Sequence, residues 1–157
     1  MLTKSLPDNS VFLFDLQDVV IANLSSWYKN SSGYVAGNKT IAGKQRTVLF
    51  HREIMRCPEG LVIDHIDGDK LNNTRNNLRI CTHQDNLRNR PKTLYPTSSR
   101  YKGVSFDTAC NRWAAAISID NKSRRLGLYY KEVDAARAYD RAAVKYFGPF
   151  ANLNNYD

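Results

Sequence analysis

The sequence predicts an α+β protein built in two parts. The first is a β-hairpin and helix around a polar site. The second is a three-stranded antiparallel sheet packed on one helix. Three observations carry this prediction. The polar stretch "DHIDGDKLNNTRNNL", residues 64–78, lies between two apolar runs that read as strands. The segment "RNRPKTLYPTSSR", residues 88–100, combines two prolines with small polar and basic side chains and reads as an extended linker. Charge divides at the same place. Residues 1–87 carry ten Lys/Arg against nine Asp/Glu, whereas residues 88–156 carry thirteen against five. A basic module behind a nearly neutral one points to a polyanionic partner.

The elements follow in order. "SVFLFDLQDVVIA" reads as a strand or two, and "SGYVAG" and "QRTVLF" as short strands bounded by glycine and polar turns. "HREIMR" is a short helix, stopped where Pro58 and Gly60 in "CPEG" force a turn. "LVIDHI" and "NLRICT" are the strands that flank the polar stretch. A helix begins in "THQDNLRNR", with Thr82 as its cap and an acidic residue three positions on at Asp85. Beyond the linker, "YKGVSF", "RWAAAISID" and "SRRLGLYY" are strands, with a turn at Asn121–Lys122. "EVDAARAYDRAAVKYFG" is an amphipathic helix. Val133, Ala136, Tyr139, Ala143 and Tyr146 recur at helical spacing, and Gly148 and Pro149 end it.

Composition narrows the classes. The 157 residues, 42% hydrophobic, suffice for one ordinary domain or two small ones and can bury a core. No run approaches the roughly 18 to 20 apolar residues of a membrane span. "MLTKSLPDNS" lacks a secretory signal region, so the expectation is a soluble intracellular protein, not secreted and without a membrane partner. Cys57, Cys81 and Cys110 are odd in number and far apart, with no CxxC pair. Reduced thiols are expected, and no structural zinc.

The polar stretch carries the chemistry. Asp64 and His65 are adjacent near the end of a strand. Asn77 follows His65 by twelve residues and Asn86 by twenty-one. A hairpin with a helix packed across it lets these side chains converge. In this order and spacing, the D-H pair, the N-N-L and the helix asparagine of "LFHREIMRCPEGLVIDHIDGDKLNNTRNNLRICTHQDNLRN" resemble the HNH nucleases. The likeness is closest to the phage-type homing endonucleases and covers roughly residues 33–90. It implies the ββα-metal fold, DNA as substrate, and the cytoplasm of a phage-infected host cell as the setting.

Phosphodiester hydrolysis needs an activated water and a neutralised leaving oxygen. A carboxylate and an amide oxygen suit a hard divalent cation, Mg2+ above all, so Asp64 and Asn86 are the expected metal ligands. A neutral imidazole can take the proton of the attacking water, so His65 is the expected general base. The resemblance implies the same roles and assigns Asn77 to bracing the loop and orienting the base. Relatives often carry a histidine at the helix position that Asn86 fills. Asp67 and Asp69 are expected to shape the turn around Gly68, and Asn72, Asn73 and Asn76 to hold backbone turns. His51, in an "HR" that recurs in the family, is expected to support the site by packing or by a phosphate contact. His83 is expected to be a local feature of its helix start.

The second part resembles the AP2/ERF DNA-binding domain over about residues 100–154, most closely in "AARAYDRAAVKYFG" and "ANLN". That family lays the open face of its sheet into the major groove. The strand pattern agrees. Trp113, Ala115, Ile117 and Ile119 share the face toward the helix, and Arg112, Ala114, Ala116 and Ser118 share the other. Arg112, Arg125 and Lys102 are the expected contacts on that surface, with Arg124 reaching a phosphate from the edge. Ser105, Ala116 and Ser118 stand where plant members carry longer side chains, so the plant target sequence does not transfer.

The boundaries are therefore a nuclease domain at 1–87, a basic linker at 88–99 and a DNA-binding domain at 100–157. The expected activity is metal-dependent, homing-type cleavage or nicking of double-stranded DNA, by a monomer or weak dimer with no small-molecule cofactor. The alternative is a DNA-binding regulator in which the HNH-like part is only structural. An RNA-binding role is disfavoured, because the sheet lacks paired aromatics for stacking on bases.

Overall fold

The computed structural model describes residues 1–92 and 97–157, so the middle of the expected linker lies outside the described residues. The chain falls into two compact units, Met1–Asn86 and Leu87–Asp157. Among the described residues every sheet is small and antiparallel, and short helices are interspersed. This is the α+β class that the sequence predicts.

The first unit opens on a hairpin of β1 (Leu2–Ser5) and β2 (Val11–Phe14). Alternation along β2 turns Phe12 and Phe14 inward, where both are buried. The expected strand does not continue through "DLQDVVIA". A 3-10 turn at Leu16–Asp18 leads into α1 (Val19–Asn23) instead. β-Branching at Val19, Val20 and Ile21 favours a strand, but tertiary contacts override it. Asp15 and Asp18 are both held by Arg75, which bends the chain out of line.

β3 (Trp27–Lys29), β4 (Val35–Ile41) and β5 (Lys44–Leu49) form a three-stranded sheet. β5 leads directly into α2 (Phe50–Met55). Arg56, at φ 49°, ends that helix in the left-handed region. Phe50 is the hub of the core. Its ring centroid lies 5.1 Å from Phe12, 5.9 Å from Phe14 and 5.0 Å from Trp27, each edge-on. Full burial of such rings stabilises the unit by roughly 2–3 kcal/mol apiece.

The hairpin of β6 (Val62–His65) and β7 (Leu78–Cys81) then brackets the polar loop, and α3 (His83–Arg88) follows. Thr82 caps α3 as the sequence predicts. Asp85 N–H donates to Thr82 Oγ1 at 3.1 Å, and the hydroxyl donates to the Asp85 carboxylate at 2.7 Å.

The second unit is the sheet of β8 (Val104–Asp107), β9 (Arg112–Ile119) and β10 (Lys122–Tyr129), with β9 central, and α4 (Glu132–Phe147) on one face. The β9–β10 turn sits one residue earlier than expected. Asp120 and Asn121 both have positive φ, and Lys122 already pairs with Ile119. Two successive positive-φ residues match the twist of a hairpin. A bulge between Arg125 and Gly127 lets Leu126 and Tyr129 pack inward. Ala115 and Ile117 of β9 meet the alanine-rich face of α4, including Ala135, Ala136 and Ala143. Gly103, at φ +74°, lies under Tyr139 so closely that a Cβ there would stand 1.9 Å from the ring.

Candidate active site and nucleic-acid interface

Pairing of β6 with β7 sets Asp64 opposite Arg79 and His65 opposite Leu78. Asp64 and His65 are both buried, at 4% and 5% exposure. The Asp64 carboxylate accepts from Arg79 Nε at 2.8 Å and Nη2 at 2.6 Å. A buried carboxylate needs such a partner. Arg79 was legible from hairpin register alone, since it faces Asp64 once residues 66–77 are closed into a loop.

Asn77 braces that loop. Its Oδ1 accepts from Asp67 N–H at 3.0 Å, and its Nδ2 donates to Asp67 Oδ1 and to Asn72 O, each at 2.8 Å. Its own carbonyl accepts from Ile66 N–H at 2.8 Å, beside the His65 strand end. Burial alone would raise the Asp67 carboxyl, but the hydrogen bonds from Asn72 and Asn77 outweigh it and hold the pKa low. Asp67 and Asp69 also accept from Asp69 N–H and Leu71 N–H, so they shape the turn as expected. Asn72 caps Thr74 through its hydroxyl at 2.9 Å.

Asn73 does more than the turn chemistry expected of it. It is fully buried, and its Oδ1 stands 3.4 Å from His65 Nε2. Nothing in the sequence distinguishes it from its neighbours, because burial is the signal and the sequence shows only a run of asparagines.

A cluster of rings surrounds His65. His51, on α2, lies edge-on to it at 5.1 Å between centroids, and Tyr34 stands 5.2 Å from His51 and 5.9 Å from His65. Lys70 Nζ covers Tyr34 at 4.6 Å. Burial lowers the pKa of His65 below its usual 6.5 against the opposing pull of Asn73, Asp67, Asp64 and Asp69. Burial first, then His65 and Arg52, lower His51 to about 3. Both rings are therefore neutral at pH 7. Among the described residues no hydrogen-bond partner meets the buried Nδ1 of His51. His51 packs against the rings of Tyr34 and His65.

Asn86 lies in the first turns of α3 with its backbone N–H on Thr82 O at 3.1 Å. Its assignment rests on the resemblance rather than on a contact with Asp64. His83 is exposed at the start of α3. Among the described residues no cluster of three His, Cys, Asp or Glu side chains is placed to hold a metal. The donors expected from the sequence, Asp64 and Asn86, are a carboxylate and an amide, oxygen donors of the kind a hard divalent cation takes.

On the second unit, Ser123 and Arg125 share the open sheet face with Ser118 and Ala116, and Arg124 points to the Ile117 face, as alternation predicts. Arg112 stacks on the exposed Tyr130 ring at 3.3 Å. Arg125 donates to Asp107 at 2.8 Å. Lys102 departs from its expected place among the surface contacts. Its ammonium is half-buried and donates to the carbonyls of Arg88 (2.9 Å) and Arg90, and burial lowers its pKa. It ties the start of the basic segment to this unit. Arg88 itself lies over the Phe147 ring at 5.0 Å.

A two-stranded hairpin with an Asp–His pair at its end, followed by a short helix, is the arrangement that the resemblance to ββα nucleases leads one to expect. The family model described as HNH endonuclease matches residues 48–88. An uncharacterised HNH endonuclease of Acanthamoeba polyphaga mimivirus is 32% identical over 140 residues, covering 87% of this chain and 71% of that protein. The C-terminal part matches APETALA2-like protein 2 of Oryza sativa subsp. indica, 44% identical over 59 residues, which is 36% of this chain and 13% of the plant protein. A solved structure of the HNH homing endonuclease I-HmuI aligns over 57% of each chain at 27% identity, with a TM-score of 0.38. The chain belongs to the HNH endonuclease family, and it is a nuclease.

Proposed function

We propose that the chain is a metal-dependent DNA endonuclease of the homing kind. Its first domain, residues 1–87, hydrolyses a phosphodiester near a site that the AP2-like domain, residues 100–157, binds, and the basic segment 88–99 joins them. The buried Asp64–His65 pair at the end of β6 carries this reading. His65, neutral at pH 7, takes the proton of the attacking water. Asn77 holds the loop that follows, so that the imidazole keeps its place at the hairpin end. Asp64 and Asn86 would hold a divalent cation, Mg2+ by the hardness of the donors, and the cation would neutralise charge at the phosphate and its leaving oxygen.

Double-stranded DNA as the substrate is supported by the net charge of +8, which lies almost wholly in the second half of the chain and suits a polyanion. The open sheet face offers Arg112 and Arg125 beside short side chains, which allows close approach to a groove. Arg124 serves a phosphate at the edge. One active site per chain favours nicking by a monomer.

The test is cleavage of supercoiled DNA carrying candidate sites, with Mg2+ and with EDTA. Nicking should require the metal and should fall to a small but measurable residual rate in His65→Ala while DNA binding persists. Cleavage by His65→Ala at the wild-type rate would remove His65 from the role of base. Cleavage in EDTA would remove the metal.

A further inference from the structure

The matched family segment begins at residue 48, yet the loop that carries His65's neighbours is strapped down by residues far upstream. Leu13 is the first strap. Its N–H donates to Leu71 O at 2.8 Å, and its carbonyl accepts from Asn73 N–H at 2.9 Å. β2 thereby adds a one-residue parallel bridge to the active-site loop, at Leu13 and Asn72. Asp15 is the second, accepting from Arg75 N–H at 2.8 Å. Asp18, 1% exposed, is the third. It holds the Arg75 guanidinium through Nη2 at 2.7 Å and Nε at 3.1 Å, while Nη2 also reaches Ile54 O at 2.8 Å.

Between these straps sits Asn73. Its Nδ2 donates to Leu71 O at 3.1 Å and Lys70 O at 3.3 Å. Two carbonyl acceptors on one side fix the amide, so Oδ1 must be the atom that faces His65 Nε2 at 3.4 Å. An acceptor at Nε2 selects the tautomer with its proton there. The lone pair of the neutral ring is then on Nδ1, the atom this proposal assigns to the attacking water.

We propose that Asn73 is the positioning residue of the catalytic histidine and that Leu13, Asp15 and Asp18 hold it in register. This rests on the reading of His65 as the base. The amide is rigid because its backbone N–H, its Nδ2 and the next turn of chain are each tied to a different acceptor. The asparagine that braces the loop, Asn77, and the one that aims the base, Asn73, are thus different residues.

A double-mutant cycle on the full chain tests it, with supercoiled DNA and saturating Mg2+. Asn73→Ala should lower kcat by roughly 10- to 100-fold, the scale of a misplaced reacting group. KM for DNA should stay near wild type. Added to His65→Ala, it should cause little further loss, since a residue acting only through His65 has nothing left to act on. Asp15→Ala, which removes one strap and leaves the core intact, should give a smaller kcat loss with the same dependence on His65. Equal losses from Asn73→Ala with and without His65 would overturn the inference, as would a wild-type kcat in Asn73→Ala beside an inactive His65→Ala. Should Asn73→Ala not fold, Asp15→Ala alone decides by the same criterion. A fully active His65→Ala would instead strike down the base assignment, and the positioning role with it.

Discussion

His51 is a buried histidine whose ring resists protonation. Its ring is neutral when folded down to a pKa of about 3, against 6.5 for an ordinary histidine. Above about pH 6.5 both folded and unfolded chains carry it neutral, and it contributes no pH dependence. Below that, the unfolded chain takes up a proton that the folded ring refuses, so stability falls as pH drops toward 3. The loss can reach about 1.4 kcal/mol per pH unit in that window. His51→Phe, which cannot protonate, should therefore flatten the fall in urea midpoint between pH 6.5 and 5. The remaining slope should come from groups such as the buried His65, whose pKa is also lowered. An unchanged slope would show that His51 is not held neutral. Position along the chain pointed to His51 but could not weigh it, because Tyr34 and His65 meet it only in space.

Elements were legible where local chemistry decides them. Thr82 and Asp85 mark the start of α3, the alanine face marks α4, and period-two alternation assigns both faces of β9. They were illegible where distant partners decide. The run "VVIA" has the propensity of a strand, yet Asp15 and Asp18 are claimed by Arg75, 57 residues beyond Asp18, and the run coils into α1. The β9–β10 turn fell one residue away because Asp120 takes a positive φ without glycine. The contact between Gly103, just before β8, and α4 gives the sharpest test at this scale. Gly103→Ala would force a methyl into the Tyr139 ring at a positive φ. Two penalties combine, strain and overlap, and the second unit should lose about 2–5 kcal/mol. Thermal unfolding should show a lower transition for that unit. A midpoint within a degree of wild type would mean that Tyr139 moves aside freely.

At the scale of the molecule, among the described residues each hydrophobic cluster draws its members from one unit. Leu6 to Leu78 supply the first, and Tyr101 to Phe147 supply the other two. The charge asymmetry follows the same division, so DNA affinity should be mainly a property of the second unit. Neutralising Arg112, Arg124 and Arg125 together should weaken binding, and loss of the phosphate contact assigned to Arg124 should reduce the slope of log binding constant against log salt concentration by roughly 0.9. A slope that does not change would place the DNA on another face. The bridge between Leu13 and Asn72 bears on protein engineering. A cassette cut to start at residue 48 would carry Asp64, His65, Asn77 and Asn86 onto any new DNA reader, and leave behind the strand to which their loop is bonded. A portable version of this nuclease should keep β2 and the turn that carries Asp15 and Asp18.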